Sequence, residues 1–215
     1  MKSSIAWLAM VAIAPVADAQ TKAADPAPMS ASRAMSYSCN GIDVVARIAP
    51  SGLELYLPDR RVVLPPDASA PGTFAEGGVR FVLRREQADL EFGGTSYSPC
   101  TLDAQQSRWD DARLRGISLR AVGGTPAWSL EIDENRTHET TLVLADGTTI
   151  ARATPEAVTE GERTRYAMDG LSIVIENVPC TGSGGAPRPA KVAIKLGGRD
   201  YAGCGEWLQR GQTSY

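Results

Sequence analysis

The sequence predicts an all-β protein with a small antiparallel β-barrel and a second antiparallel β-rich domain, joined by one short helix. Three observations predict this class. Short apolar segments, many with a period of two residues, recur along most of the chain after residue 41. Gly-containing and Asp-Gly turns separate many of these segments at the spacing of hairpins. One segment without Gly or Pro, residues 103–115, interrupts the pattern and is typical of a helix.

The first β-rich domain is predicted to cover residues 37–100. Its short strands are separated by Pro-Asp and Gly-Gly turns, a pattern typical of a small barrel or sandwich. The predicted strands are residues 42–48, 53–57, 60–64, 79–83, 88–92 and 95–98. The connection at residues 65–78 is long for a hairpin and is predicted to be a presented loop.

The linker is predicted to cover residues 101–116 and to form a helix. Asp103 is a suitable N-cap, and Gly116 is a suitable stop signal after the last turn. At helical spacing Trp109 and Ala112 lie on one face, so we expect that face to pack against a domain.

The second β-rich domain is predicted to cover residues 117–208, followed by a tail at 209–215. Three hairpin turns are expected at Asp146-Gly147, Asp169-Gly170 and Gly197-Gly198, where positive φ angles are needed. The predicted strands are residues 117–122, 128–132, 140–144, 148–151, 164–168, 171–176, 192–196 and 199–202.

The N-terminus has the pattern of a signal peptide over residues 1–19. Lys2 precedes the apolar segment 5–14, and Ala17-Asp18-Ala19 offers the small residues of a cleavage site. The alternative is a retained membrane anchor, although the apolar segment is short for a membrane span. Residues 20–36, rich in Ala, Pro and Ser, are predicted to be a flexible leader. We therefore expect a periplasmic protein without a membrane anchor after cleavage.

The chain contains four cysteines: Cys39, Cys100, Cys180 and Cys204. Export to an oxidising compartment favours disulfides, and four cysteines allow three pairings. The local solution joins Cys39 to Cys100 and Cys180 to Cys204, one bridge in each half. In the chain-entropy account each bridge would contribute roughly 3–4.5 kcal/mol.

Composition and motifs favour a binding protein over an enzyme. The net charge of -3 makes a nucleic-acid partner unexpected, because phosphate neutralisation needs a basic surface. His138 is the only histidine, there is no Cys-x-x-Cys pair, and we expect no metal or other cofactor. The Gly-rich segment 181–185 lacks the Lys-Ser or Lys-Thr of a phosphate loop. Glu131 and Asp133 share a predicted strand face, where acid/base work and simple solvation are both open.

The loop at residues 65–78 is the candidate binding site. Extended loops on a rigid scaffold often carry binding functions, and a disulfide-closed barrel lowers the ordering cost of presenting one. Arg84 follows the adjacent strand, and its guanidinium suits a partner that offers carboxylates. The alternative is an ordinary loop beside solvated arginines.

Two cysteine contexts and the loop between them resemble the bacterial inhibitors of C-type lysozyme. Residues 37–39 read Tyr-Ser-Cys, and residues 97–100 read Tyr-Ser-Pro-Cys. The loop between these cysteines resembles the family's Ser-Gly-Ala loop and reads Ala-Ser-Ala-Pro-Gly-Thr-Phe at 68–74. It is followed by a strand and by the charged turn at 84–87. The resemblance covers about 64 residues and implies a β-barrel that inhibits lysozyme.

In that family a loop serine and the lysine of the turn enter the lysozyme cleft and engage its catalytic carboxyls. An ungapped match places Arg84 at the lysine and Ala70, which has no hydroxyl, at the serine. Ser69 is one residue away and Thr73 is nearby, so the resemblance implies Ser69, Ala70, Thr73 and Arg84 as partner-binding residues. Loss of a central hydrogen bond would weaken inhibition by roughly 1–3 kcal/mol.

The second half resembles an envelope domain of unknown function. The resemblance rests on Gly-Gly-Thr-Pro-Ala-Trp at 123–128 and on the ending Leu-Gly-Gly-Arg-Asp-Tyr-Ala-Gly-Cys at 196–204. The acidic residue and methionine usual after that domain's first cysteine are replaced here by Thr-Gly-Ser at 181–183. This domain often accompanies lysozyme-inhibitor-like domains, and it implies no activity.

We therefore expect a periplasmic inhibitor of C-type lysozyme that inserts a loop into the active-site cleft. The alternative is an envelope interaction module that keeps the inhibitor fold and binds peptidoglycan or an envelope protein. An enzyme is a third hypothesis, and the paired carboxylates are the only residues that favour it.

Overall fold

The computed structural model describes residues 33–182 and 186–208. The predicted signal peptide, residues 20–32 of the predicted leader and the predicted tail at 209–215 lie outside these residues. The described chain forms two antiparallel sheets joined by one helix, and this confirms the predicted all-β class.

The first sheet, sheet A, has nine strands that precede the helix. Their bounds are β1 (Ala34–Cys39), β2 (Ile42–Ala49), β3 (Gly52–Tyr56), β4 (Arg61–Leu64), β5 (Thr73–Glu76), β6 (Val79–Arg84), β7 (Gln87–Phe92), β8 (Thr95–Ser96) and β9 (Cys100–Asp103).

Sheet A curls into a nearly closed barrel. The strand order is β4-β3-β2-β1-β9-β7-β6-β5, and β8 pairs with β7 outside this path. An antiparallel bridge between Pro66 and Phe74 connects the two ends of the order. The backbone N–H of Ala75 also donates to the carbonyl of Pro65 at 3.2 Å. These contacts remove most of the free strand edge that an open sheet would expose.

The inward residues of sheet A form one core. Leu53, Leu55 and Leu90 are fully buried, and the rings of Tyr37 and Phe81 meet edge to face with centroids 5.6 Å apart. The bridge Cys39–Cys100 ties β1 to β9 at the end of this core, as predicted. Burial of these apolar side chains is the main stabilising contribution to the barrel.

The helix α1 (Ala104–Arg115) lies between the sheets in the chain and contacts both. Asp103 accepts from the backbone N–H groups of Gln105 and Gln106, and Gly116 ends the helix at φ 83°, so both predicted caps are confirmed. Trp109 and Ala112 are buried together, as the predicted apolar face requires.

Hydrogen bonds fix this helix to sheet A. Ser36 donates its backbone N–H to the Ser107 hydroxyl at 2.8 Å and its own hydroxyl to Asp110 at 2.7 Å. The N–H of Ala34 donates to Asp111 at 2.9 Å. On the other side, Arg113 pairs with Glu206 and Arg115 with Glu131, both of which lie in the second sheet.

The second sheet, sheet B, contains the remaining nine strands. Their bounds are β10 (Leu119–Gly124), β11 (Ala127–Ile132), β12 (Glu139–Leu144), β13 (Thr149–Ala153), β14 (Val158–Glu160), β15 (Arg163–Met168), β16 (Leu171–Glu176), β17 (Ala190–Leu196) and β18 (Arg199–Trp207). The order is β13-β12-β11-β10-β18-β17-β16-β15-β14.

Sheet B curls around its own core, so its strands alternate inward and outward residues. Strand β16 shows this best, with Leu171, Ile173 and Ile175 buried and the residues between them partly exposed. Tyr166 is fully buried in the same core and donates its hydroxyl to Glu134 at 2.6 Å. The second predicted bridge, Cys180–Cys204, is present. Two disulfides indicate an oxidising, extracytoplasmic compartment.

Four strands correct the predicted boundaries. Strand β1 begins at Ala34, so residues 34–36 belong to the barrel and not to the predicted flexible leader. Strand β9 extends the first sheet past the predicted end at residue 100. Strand β5 lies inside the predicted loop 65–78 and shortens that loop to residues 65–72. Strand β14 has no predicted counterpart, because all three of its residues are exposed and carry no apolar pattern.

Candidate functional site

The predicted loop and Arg84 meet at one end of the barrel. Strands β5 and β6 pair with Thr73 opposite Val82, and the N–H of Leu83 donates to the carbonyl of Gly72 at 2.8 Å. The last loop residue is therefore hydrogen-bonded next to the strand end that carries Arg84. We call residues 67–72 with Arg84 and Arg85 the Arg84 rim.

The loop of the Arg84 rim is a compact turn held by its own hydrogen bonds. The N–H of Asp67 donates to Thr73 at 2.9 Å, and the N–H of Ala70 donates to Asp67 at 3.2 Å. The Asp67 carboxylate accepts from the hydroxyl and the N–H of Ser69, and these bonds hold the pKa of Asp67 below its usual value. The loop is therefore preorganised, which lowers the entropy cost of binding a partner.

The structure places Ser69 and Ala70 at the surface of this turn. Ser69 is exposed, and its hydroxyl donates to Asp67 at 2.6 Å. Ala70 is half-buried and contributes only a methyl group at the position that the resemblance assigns to a serine. The hydroxyl that can reach a partner from this turn is that of Ser69, once it leaves Asp67.

The assignment of Thr73 as a partner-binding residue needs a correction. Thr73 is 4% exposed and opens β5, where its backbone pairs with the loop on one side and with β6 on the other. Thr73 lies opposite Val82 and alternates with Phe74, which packs on the core, so its side chain is on the outer face of the strand and is nevertheless buried. Thr73 stabilises the Arg84 rim, and its hydroxyl is not presented at the surface.

Arg84 is exposed and already has a carboxylate partner. Its Nε donates to Asp89 at 2.7 Å, and 63% of its side chain is accessible. Arg85 is exposed in the turn and has no ion-pair partner among the described residues. An exposed pair such as Arg84–Asp89 contributes only about 0–1 kcal/mol to stability, so Arg84 can exchange this partner at small cost.

The residues that were considered for catalysis, His138, Glu131 and Asp133, are not arranged as a catalytic group. His138 is exposed, with φ at 50°, in the turn before β12. Glu131 is bound by Arg115 and Arg120. Burial disfavours the charged form of Asp133, but the N–H groups of residues 135–137 hold its pKa well below its usual value. Each of the two carboxylates is therefore committed to a structural role.

Of the Gly-rich segment, Thr181 and Gly182 are exposed, and residues 183–185 lie outside the described residues. Residues 33–182 and 186–208 contain no group of three His, Cys, Asp or Glu side chains that could hold a metal ion. Within these same ranges no helix has the length and apolarity that a membrane span requires.

One cluster escaped the sequence-based predictions. Arg108, Arg120 and Arg188 line a cavity between α1 and sheet B, together with Trp109 and Trp128. Burial lowers the pKa of Arg120, Glu131 opposes this, and the charges of Arg108 and Arg115 lower it further. The arginines are far apart in sequence, so no motif signals the cluster.

Comparison of the chain with protein-family models, with curated proteins and with solved structures found no match. The resemblances to the lysozyme inhibitors and to the envelope domain therefore stay predictions from residues.

Proposed function

We propose that this protein is an exported periplasmic binding protein whose barrel inhibits C-type lysozyme by inserting the Arg84 rim into the active-site cleft. One observation carries the proposal. The hydrogen bond between Leu83 and Gly72 holds the preorganised loop beside the strand end of Arg84. A loop and a cation at one rim are the two parts that insertion into an acidic cleft requires.

The chemistry of Arg84 suits the carboxyl groups of such a cleft. A guanidinium can donate two parallel hydrogen bonds to a carboxylate, and these bonds strengthen where water is excluded. Binding replaces Asp89 as the partner, and Arg85 adds a second exposed charge at the same rim. The exchange favours the complex because the Arg84–Asp89 pair is exposed and weak.

The loop supplies less than the resemblance requires. Ala70 has no hydroxyl, and Ser69 must break its bond to Asp67 before it can donate to a partner. We expect the alanine at residue 70, in place of the family's serine, to cost about 1–3 kcal/mol of binding free energy relative to an inhibitor with a free serine. Affinity therefore depends mainly on the arginines and on the shape of the loop.

A different observation favours a second candidate function. Ser69 and Arg84 both have intramolecular partners, so neither side chain needs a partner protein to complete its hydrogen bonds. This second candidate is an envelope interaction module that keeps the inhibitor fold and binds peptidoglycan or an envelope protein. Such a module needs no side chain that inserts into a lysozyme cleft.

The assignment as a binding protein and not an enzyme is part of the proposal. It is supported by the positions of the three residues that chemistry would use. His138 is in an exposed turn, Glu131 is held by two arginines, and Asp133 is held by backbone amides. None of the three is arranged as a base beside a nucleophile.

The test compares Arg84→Ala with Arg80→Ala in a lysozyme inhibition assay. Both arginines lie on β6, both are exposed, and each faces one carboxylate, Asp89 or Glu91. Only Arg84 belongs to the rim. We expect Arg84→Ala to weaken inhibition about tenfold or more through faster dissociation. Arg80→Ala should change inhibition much less, because the charge of Arg80 acts on the loop only through Asp67.

Equal inhibition by wild type and Arg84→Ala would reject the site. No inhibition by the wild-type protein would reject the inhibitor function itself. A pull-down on purified cell wall in the absence of lysozyme then tests the second candidate, for which retention on the wall is the expected result.

A further inference from the structure

A cavity lies in the other half of the protein, where α1 covers part of sheet B. The cavity there has a volume of about 460 Å³ and is lined by α1, by β10 to β12, by β18 and by segments at residues 182 and 186–188. This volume is within the range of small-molecule sites, about 300–1,000 Å³.

The charged side chains that line this cavity are all cationic. Arg108, Arg120 and Arg188 contribute guanidinium groups, and no described Asp or Glu is among the lining residues. Arg188 stacks on the Trp109 ring at 3.8 Å and donates to Glu206 at 2.8 Å. Glu206 is not among the lining residues, and its ion pair with Arg188 holds that guanidinium in place.

Arg120 is the residue that points to a ligand. Its side chain is only 8% exposed, and its Nε has no hydrogen-bond partner among the described residues. Its one carboxylate, Glu131, is shared with Arg115. A buried donor without an acceptor is costly and rare in folded proteins. Because Arg120 lines the cavity, an acceptor bound there can take a hydrogen bond from its guanidinium after a side-chain shift that exposes Nε.

The charges around the cavity do not cancel. Five arginines lie on or beside α1, and four of them share four carboxylates in ion pairs, which leaves one arginine without an ion pair. The arginines are Arg108, Arg113, Arg115, Arg120 and Arg188, and the carboxylates are Asp110, Asp111, Glu131 and Glu206. Arg108 is exposed and has no ion pair with any described residue. The cavity is therefore electrostatically prepared for an anion.

Apart from Gln105 and Ser129, the rest of the lining is apolar. Trp109, Trp128, Val122, Val143 and Leu144 are among the lining residues, and Val122 is 37% exposed although it is apolar. A hydrated inorganic ion would gain nothing from these side chains. A ligand with an apolar or aromatic body would cover the apolar surface that is still exposed there, such as that of Val122, and gain about 25 cal/mol per Å² of apolar surface.

From these observations we infer that the cavity binds a small organic oxyanion, a carboxylate or a phosphate with an apolar body. The oxyanion accepts from Arg120 and Arg108, and the body packs on Trp109 and Val122. This site is independent of the Arg84 rim and does not rest on lysozyme inhibition.

The test is calorimetric titration of the full mature chain with benzoate and with phenyl phosphate, which distinguish the two oxyanion head groups. Two control ligands each carry one part of the probe: inorganic phosphate has the oxyanion without an apolar body, and benzyl alcohol has the aromatic body without an oxyanion. We expect at least one of the aromatic oxyanions to bind with a Kd below about 1 mM, and both partial probes to bind more weakly.

Variants assign the binding to the cavity. Arg108→Gln removes an exposed charge without breaking an ion pair, and we expect it to weaken binding about fivefold. Arg165→Gln is the matched control, because Arg165 is exposed on β15, lies outside the cavity lining and has no described ion pair. Arg120→Lys keeps the charge but removes the Nε donor, and it should weaken binding further.

Three results would overturn the inference. They are no saturable binding of either aromatic oxyanion, equal binding of benzyl alcohol and benzoate, or equal loss in the Arg108 and Arg165 variants. If Arg120→Lys fails to fold, Arg108→Gln still decides the matter, because its side chain is at the surface.

Discussion

The substitution Gly123→Ala tests the packing that shapes sheet B beside the cavity. Gly123 pairs with Trp128 across β10 and β11, and the indole lies over the glycine. A Cβ at residue 123 would be 2.0 Å from Nε1 of Trp128 and 2.7 Å from the carbonyl oxygen of Ala202. Separations below 3.0 Å require a shift, and the second neighbour is backbone within the sheet.

The size of the stability loss depends on which neighbouring atoms can move away from the new methyl group. The backbone of Gly123 is outside the left-handed region, so steric contact is the only cost of the new methyl group. Trp128 is 4% exposed and packs in the core, so it cannot turn aside without leaving that core. We expect a loss of about 1–3 kcal/mol in the free energy of unfolding. For a chain of this size that loss corresponds to about 2–12 °C in Tm.

Thermal unfolding and a double-mutant cycle check this prediction. In a Trp128→Leu background the indole is absent, so the cost of Gly123→Ala should fall, which gives a coupling of about 1 kcal/mol. An alanine in an unstrained strand without steric conflict would instead stabilise the protein by about 0.4–1 kcal/mol. A Gly123→Ala protein as stable as wild type, or more stable, would refute the packing argument.

Two buried carboxylates make predictions about stability and pH. Asp133 and Glu54 both have lowered pKa values in the folded protein, although burial alone would raise them. The stability that each carboxylate contributes is therefore fully present above the pKa of the unfolded chain, 3.8 for Asp133 and 4.5 for Glu54. It is lost as the pH falls through the pKa of the folded protein. Asp133→Asn presents an amide to the N–H of Thr137 and should cost about 1–3 kcal/mol at neutral pH in urea unfolding. Glu54→Gln weakens the pairs with Arg47 and Arg61 and should cost a similar amount, about 1–3 kcal/mol. Each variant should flatten the acid limb of the stability curve, and an unchanged limb would contradict the assignment.

The hairpins and helix caps were predictable because their signals are local. The turns at Asp146-Gly147, Asp169-Gly170 and Gly197-Gly198 all contain glycine at positive φ. Asp103 and Gly116 bound the helix as their capping chemistry requires. The cysteines paired locally because each bridge joins strands of one sheet, or a strand and its neighbouring segment.

The missed strands depend on contacts that no local pattern reveals. Strand β5 is four residues long and is preceded by Pro and Gly, so it reads as loop until β6 pairs with it. This omission also explains why the burial of Thr73 was not predicted, since a residue of an unrecognised strand reads as an exposed loop residue. Strand β1 begins in a segment that composition alone places with the leader, and its first residues are held by α1.

The two candidate sites differed in how far the sequence could reveal them. Arg84 and the loop are close in sequence and are joined by one hairpin, so their proximity was predictable. Arg120 reads as an outward polar residue of a strand, and its burial arises because α1 covers that face. Arg108 and Arg188 approach it only through tertiary packing, which a single sequence does not show.

Inhibition of C-type lysozyme by purified protein without the predicted signal peptide, residues 20–215, is the most direct test of the central claim. Residual activity on a cell-wall suspension is measured against inhibitor concentration at low and at high salt. We predict stoichiometric inhibition that weakens with salt. Salt screens the attraction between the exposed arginines and the lysozyme carboxylates, over about 10 Å at moderate ionic strength. Full lysozyme activity at micromolar protein in both salts would contradict it, and the envelope interaction module would then replace inhibition as the function of this fold.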